Sequence, residues 1–131
     1  KRFMPCISIY KNKKLMENNF LIKVEKVFQE RDLNTLKKLA VPTHREQNKK
    51  ENYTSVLMLS CHSIKHLIKI PTLEADCIML NLEDGVSAED KPFALVLCAI
   101  FLTQYKKIDK KLVVRVNALD EGGYEEIIYL N

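Results

Sequence analysis

Residues 75–86 read Ala-Asp-Cys-Ile-Met-Leu-Asn-Leu-Glu-Asp-Gly-Val, a nearly unbroken apolar run that ends in Glu83-Asp84-Gly85. A second run, Leu112–Asn117, reads Leu-Val-Val-Arg-Val-Asn and places Arg115 among apolar residues. Continuous apolar strands are typical of a parallel sheet that helices cover on both faces. In such proteins, charged groups at the carboxyl ends of the strands form active sites. The two runs therefore predict an α/β fold with a site at the carboxyl ends of its strands.

The segments around these runs complete two right-handed strand–helix–strand units. The predicted elements are a buried strand over Ser55–Ser60, a helix from about Ser63 to Pro71, a strand over Asp76–Leu82, a buried helix over Phe93–Tyr105, a strand over Leu112–Asn117 and a helix over Tyr124–Leu130. Ser87-Ala-Glu-Asp90 resembles a capping box before the second helix, and Pro92 suits the first turn of that helix.

The first 52 residues are interpreted as a helical extension and linker, and residues 53–131 as the strand-containing domain. The spacing of Phe20, Val24 and Val27 predicts an amphipathic helix that Asn18 or Asn19 caps. A second short helix presents Leu33, Leu36 and Leu39 and ends at Pro42. Residues 43–53 are polar and charged, which predicts an exposed linker, with a basic binding arm as the alternative. Phe3–Tyr10 forms either a short strand or an ordered tail.

Composition excludes several classes of function. Of the 131 residues, 21 are Lys or Arg and 17 are Asp or Glu, so the net charge of +4 is too small to predict a nucleic-acid partner. Three glycines are too few for a glycine-rich phosphate loop. The longest apolar run, Phe93–Leu102, is shorter than the roughly 20 residues of a membrane span, so no membrane partner is expected. Four cysteines without CxxC spacing favour a reduced, cytoplasmic protein.

Glu83, Asp84 and Arg115 are the candidate site residues. If their strands are neighbours, about 4.8 Å apart, the carboxylates lie within reach of the arginine. An arginine fork binds a carboxylate or carbonyl oxygen, and carboxylates hold a hard divalent cation directly or through its waters. The alternative is an ion pair that only braces the end of the sheet.

Two histidine patterns are weaker signals. His62 and His66 have the helical i, i+4 spacing of some metal ligands, but a third ligand is missing from the pattern. Ser60-Cys61-His62 places a hydroxyl near an imidazole, yet residues this close in sequence rarely adopt triad geometry. We interpret the triplet as the turn after the first strand.

The segments 75–86, Glu89-Asp90-Lys91 and Val113–Asp120 together resemble the citrate lyase beta subunit family, which includes citryl-CoA and malyl-CoA lyases. The resemblance covers about residues 54–120, with the motifs in the same order and spacing. It implies a TIM-type (β/α)₈ barrel, of which this chain holds the first three strands. It also implies Mg²⁺ as cofactor, a homo-oligomer or the remaining barrel part as partner, and a CoA thioester or acyl-carrier-linked substrate. The implied reaction cleaves a 3-hydroxyacyl thioester into an acyl-CoA and a 2-oxo acid such as oxaloacetate.

The resemblance assigns roles residue by residue. Arg115 and Asn117 would bind substrate, with Arg115 holding its carboxylate or carbonyl and Asn117 supporting the end of the third strand. Glu83 and Asp84 would line the water shell of the metal. The direct metal ligands of the family come from later strands, so we expect the chain to be inactive by itself.

Four departures from the family pattern favour an alternative to the lyase, namely a relative without catalytic activity. Thr54 replaces an arginine, Leu59-Ser60-Cys61 replaces Val-Pro-Gly, Asn81 replaces an aspartate, and Ala94-Leu95 replaces Ala-Arg. A relative that has lost these groups would be a non-catalytic binding or scaffolding protein. A third hypothesis makes Phe20–Leu39 a helical interaction module beside a passive barrel portion.

Overall fold

The computed structural model describes residues 18–40 and 52–131, which form an α/β arrangement. In chain order the elements are α1, whose described part is residues 18–29, α2 Leu33–Leu39, β1 Val56–Ser60, α3 Ile64–Ile68, β2 Cys77–Asn81, α4 Lys91–Gln104, β3 Lys111–Arg115 and α5 Gly123–Leu130. Two short 3₁₀ turns, Ile70–Thr72 and Leu119–Glu121, precede β2 and α5. Phe3–Tyr10 and nearly all of the predicted linker 43–53 lie outside the described residues.

The three strands form one parallel sheet in the order β1-β2-β3. Their register pairs Val56 with Cys77 and Cys77 with Lys111 at one end. At the other end Ser60 pairs with Asn81, and Asn81 with Arg115. Because parallel strands need crossover connections, α3 and α4 carry the chain back between strands. The predicted strand–helix–strand units are thus confirmed for these residues.

Helix α4 occupies the centre of the hydrophobic core. Eight of its residues are buried, which fits a helix that is apolar almost all round. One buried cluster joins α4 to Ile78 and Leu80 of β2 and to Leu36 of α2. The helix begins at Lys91, with Pro92 in its first turn as predicted. The Ser87 hydroxyl donates to the carboxylate of Asp90 (2.8 Å), the N-cap residue, and accepts from the Asp90 backbone N–H (3.3 Å), which is the contact across three residues that a capping box implies.

The first two helices pack on this core through a turn at Arg31, whose φ of 56° is left-handed. Asp32 N–H donates to Val27 C=O (3.3 Å) and Arg31 N–H to Phe28 C=O (3.1 Å), the two bonds of a Schellman motif. Glycine is the usual residue at that position, but the Arg31 guanidinium lies 3.9 Å from the ring centre of Phe93 and pairs with Asp90. These contacts offset the strain and attach the helical segment to the start of α4.

Two predictions about the strands need correction. β1 was expected to be buried, but Val56 and Met58 are 51% and 49% exposed. These two side chains share one face of the sheet, whereas the hydrophobic core packs on the opposite face, where Ile78 and Leu80 lie. The third strand was expected to reach Asn117, but it ends at Arg115. The backbone N–H of Asn117 donates to the Glu126 carboxylate (2.9 Å), so it leaves the ladder two residues early.

Candidate functional site

The carboxyl ends of the three strands lie side by side and place Ser60, Asn81 and Arg115 in register. In-register residues of a parallel sheet project from the same face, and neighbouring strands are about 4.8 Å apart. The ladder extends past the strand ends, since Cys61 N–H donates to Asn81 C=O (3.1 Å) and Leu82 N–H to Arg115 C=O (2.9 Å). At the carboxyl end of the sheet, these three side chains therefore project from a backbone that is hydrogen-bonded between strands.

Arg115 is ion-paired with both predicted carboxylates. Its Nη2 lies 2.6 Å from Glu83 Oε2, and its Nη1 lies 2.9 Å from Asp84 Oδ2. All three side chains are at least partly exposed, from 34% for Glu83 to 72% for Asp84, so a solute can reach them. A guanidinium has five N–H donors, and two ion pairs leave donors for a further oxygen. The cluster can thus bind an oxyanion or a carbonyl group.

Asn81 builds the loop that carries the two carboxylates. The buried side chain accepts from Glu83 N–H (3.1 Å) and donates to Asp84 C=O (2.9 Å). Gly85 follows with a φ of 73°, which turns the chain away. An ionised aspartate at position 81 has no donor for the Asp84 carbonyl. The residue that seemed to be only a lost charge therefore shapes the loop.

Asn117 lies at the same edge but is 4% exposed. Its amide nitrogen donates to Leu82 C=O (3.2 Å) and to Glu126 Oε1 (2.5 Å), and its Oδ1 accepts from Lys91 Nζ. Both N–H donors of the side chain thus face protein acceptors. Its predicted contact with substrate stays a prediction. Sequence reasoning missed Lys91 and Glu126, because their spacing along the chain carries no sign of this contact.

Ser60 and His62 form a further polar contact, at the carboxyl end of β1. Residues 61–62 make the predicted turn, and Ser60 Oγ lies 2.6 Å from His62 Nδ1. His66 is exposed on α3. Beyond the turn, the Ser87 hydroxyl and then the Arg31 guanidinium lower the pKa of the Asp90 carboxyl, and His62 adds a smaller electrostatic effect. Arg31 was also missed by sequence reasoning, since a glycine is the expected residue at its left-handed position.

The carboxyl end of the sheet supplies only some of the ligands that a divalent cation needs. Carboxylate oxygens are the ligands that Mg²⁺ prefers. Within residues 18–40 and 52–131, however, no group of three or more His, Cys, Asp or Glu side chains is placed to hold a metal ion. Glu83 and Asp84 each give one oxygen to Arg115. They therefore suit contact with a hydrated cation through its waters rather than a complete set of direct ligands.

Comparison with known protein families identifies the family of this chain. The family model described as HpcH/HpaI aldolase/citrate lyase matches residues 54–130, which include all three strands and every residue of the cluster. The chain belongs to the HpcH/HpaI aldolase/citrate lyase family. Comparison with curated proteins and with solved structures gave no match.

Membership of the HpcH/HpaI aldolase/citrate lyase family suggests carbon–carbon bond cleavage of the lyase type. The family typically depends on a divalent metal. The match supports the resemblance at the level of the whole family rather than of the citrate lyase beta subunit. Across the described ranges, none of the helices has the length and apolar character of a membrane crossing.

Proposed function

We propose that this chain carries the oxo-acid-binding part of a carbon–carbon lyase that acts on a 3-hydroxyacyl-CoA such as citryl-CoA. The products are an acyl-CoA and a 2-oxo acid such as oxaloacetate. The observation that carries the proposal is the guanidinium of Arg115, held at the carboxyl end of β3 by Glu83 and Asp84. Family membership supplies the reaction class.

In this reaction the 3-hydroxyl group loses its proton and becomes the carbonyl of the oxo acid. The bond between C2 and C3 breaks, its electron pair passes to the thioester as an enolate, and a proton then adds to C2. Arg115 binds the oxo-acid oxygens with donors that its ion pairs leave over. Asn117 is proposed to support the backbone beside Arg115. A bound Mg²⁺ would stabilise negative charge on the oxo acid, with Glu83 and Asp84 contacting its waters.

The charges of the cluster favour a cation-dependent site. Glu83, Asp84 and Arg115 together carry a charge of −1 at neutral pH, so an anionic oxo acid meets a repulsive field unless a cation joins it. The oxo acid and Mg²⁺ are therefore expected to strengthen each other's binding, because coupling between two ligands is reciprocal.

We propose further that the three strands belong to a TIM-type (β/α)₈ barrel, completed by other barrel segments or by association of copies. The exposed apolar side chains of Val56, Leu57 and Met58 on edge strand β1 support this proposal, since barrel closure covers such an edge. The 131 residues alone are expected to be inactive, because a barrel takes about 250 residues. A cytoplasmic location and a CoA- or carrier-linked substrate are part of the same proposal.

A non-catalytic binding or scaffolding relative is the second candidate. It is favoured by Thr54, which stands where the resembled enzymes have an arginine. The Thr54 hydroxyl and backbone N–H both donate to Asp76 Oδ2, at 2.8 and 3.1 Å. Thr54 thus makes a structural contact and lacks the positive charge of the arginine.

Calorimetry with oxaloacetate tests the proposal. The wild-type chain should bind oxaloacetate more tightly with Mg²⁺ than without it. Arg115→Met should weaken binding about 10- to 100-fold, because each charge-assisted hydrogen bond contributes roughly 1.5–3 kcal/mol. Lys111→Met removes the same charge at the other end of β3 and serves as the control. Absence of wild-type binding, or equal affinities for wild type and Arg115→Met, would refute the proposed site.

A thioester assay tests the expected inactivity. Purified chain is incubated with citryl-CoA and Mg²⁺, and acetyl-CoA and oxaloacetate are measured. We expect no product above the rate without protein. Product formation that Arg115→Met abolishes would show that these 131 residues, alone or self-associated, contain a complete active site.

A further inference from the structure

Lys91, Asn117 and Glu126 form a polar network next to the cluster of Glu83, Asp84 and Arg115. Lys91 begins α4, Asn117 follows β3, and Glu126 lies in the first half of α5. Lys91 Nζ donates to Asn117 Oδ1, and Glu126 accepts both from the side chain (2.5 Å) and from the backbone N–H (2.9 Å) of Asn117. Asn117 and Glu126 are 4% and 9% exposed. The network thus joins two helices at the end of the sheet.

The network contacts both segments that carry the candidate site. Leu82 directly precedes Glu83, and its N–H donates to Arg115 C=O (2.9 Å). Its own C=O accepts from the Asn117 side chain (3.2 Å). The amide of Asn117 therefore continues the pairing of β2 with β3 after the backbone ladder has ended. This contact sets the separation of the segments that present Glu83 and Arg115.

Opposite charges at the two ends of the network stabilise it. Glu126 is a carboxylate in a poorly solvated place, and a buried charge is costly unless it is paired and hydrogen-bonded. Lys91, itself half-buried, supplies the compensating charge through the intervening amide of Asn117. Removal of either charge leaves the other poorly compensated, which should disturb the orientation of Asn117.

Helix α5 approaches Asn117 closely enough to hold Glu126 in place. A Cβ atom on Gly123 would lie 2.0 Å from the Asn117 carbonyl oxygen. Because glycine has no Cβ atom, α5 can lie this close to Asn117. The start of α5 and the residues that follow β3 are consequently in close backbone contact.

We propose that Lys91 and Glu126 are positioning residues that act through Asn117 to hold Arg115 in the geometry that binds the 2-oxo acid. The inference rests on the proposed function for its ligand. It adds two residues that contact no substrate themselves. Their effect is on the relative placement of Arg115 and Glu83 at the ends of β3 and β2.

The main test compares Glu126→Gln with Glu125→Gln in the 131-residue chain. Both variants remove one carboxylate from α5, but Glu125 is exposed. Glu126→Gln should weaken oxaloacetate binding in the presence of Mg²⁺ by about 10-fold or more, as loss of supporting hydrogen bonds commonly does. Lys91→Met should act in the same direction, and Lys91→Arg, which keeps a donor, should restore part of the affinity. Glu125→Gln should leave the affinity unchanged.

Two further measurements separate positioning from general destabilisation. The side-chain ¹⁵Nε resonance of Arg115 should shift in Glu126→Gln and stay in place in Glu125→Gln. Val27→Ala, a core change on α1, should lower the melting temperature without changing the affinity below that temperature. Equal affinity and an unmoved Arg115 resonance in folded Glu126→Gln would overturn the inference. If wild type binds no oxo acid, the proposed function fails, and the Arg115 resonance by itself decides the positioning role.

Discussion

Tyr105 follows α4 in the core, and its ionisation depends on burial. The hydroxyl donates to Ile68 C=O (3.1 Å), and the ring packs 5.6 Å, centre to centre, from that of Phe101. Burial raises the pKa of Tyr105 from 10.0 to about 12, because the phenolate loses its hydration inside the protein. The folded protein therefore keeps the proton at pH values at which the unfolded chain releases it.

We predict that Tyr105 makes the free energy of unfolding fall between about pH 10 and about pH 12. The folded pKa lies above the unfolded one, so the contribution is fully present below about pH 10 and is lost as the pH rises. The loss is about 1 kcal/mol per pH unit within that window. Urea unfolding of wild type and Tyr105→Phe measures it, and the difference between the two should shrink with rising pH. Exposed Tyr124→Phe is the control, and a constant difference for Tyr105→Phe would contradict the prediction.

Single residues at the strand ends show where sequence reasoning stops. Apolar runs that end in charged groups were enough to select Glu83, Asp84 and Arg115, which the structure brings together. The function of Asn81 within its loop depended on bonds to the backbone of Glu83 and Asp84, which residue type alone does not reveal. Side-chain bonds to nearby backbone groups depend on the local chain path.

The sequence predicted which helix is buried but not where the third strand ends. The apolar pattern of Phe93–Tyr105 predicted a buried helix, and α4 confirms it. The end of the third strand was wrong by two residues, because apolar character continues through Val116 while the Asn117 N–H already bonds to Glu126. A pattern of hydrophobicity marks what is buried. It does not mark where a buried carboxylate takes a donor away from the ladder.

The Gly122-Gly123 pair predicts two different effects of substitution at the start of α5. Gly123→Ala should reduce the free energy of unfolding by about 3 kcal/mol or more, because its Cβ would overlap backbone atoms of Asn117 and Ala118. Gly122→Ala meets no atom within 4 Å but must keep a φ of 103°, so it should cost about 1–2 kcal/mol. Urea unfolding of Gly122→Ala and Gly123→Ala measures both losses of unfolding free energy. A larger cost at Gly122 than at Gly123 would contradict the close approach of α5 to Asn117.

At the scale of the whole molecule, the sequence predicted two units, residues 1–52 and 53–131. The structure places Val24, Val27 and Leu36 of the helical segment in the same buried cluster as α4 and β2. Phe28 adds an edge-on contact with Phe93, whose ring centre lies 6.2 Å away. Sequence patterns gave the apolar face of each helix correctly. They could not show which partner covers it, because that depends on the left-handed turn at Arg31 and its contacts with Asp90 and Phe93.

This shared core predicts that the described helices and the sheet unfold together. Leu36 of α2 is fully buried in the cluster that includes α4, so Leu36→Ala should cost about 2–5 kcal/mol in unfolding free energy. Ile22 on α1 is 63% exposed, and Ile22→Ala should cost less than about 0.5 kcal/mol. Urea unfolding followed by circular dichroism measures both costs.

Hydrogen exchange of the β2 amides then shows whether the loss of stability at Leu36 reaches the sheet. If the two segments are one cooperative unit, Leu36→Ala lowers the protection of β2 by the same free energy as it lowers overall stability. Unchanged protection in β2 would instead mean that the helical segment unfolds separately and that the strand-containing region holds the Arg115 cluster without it.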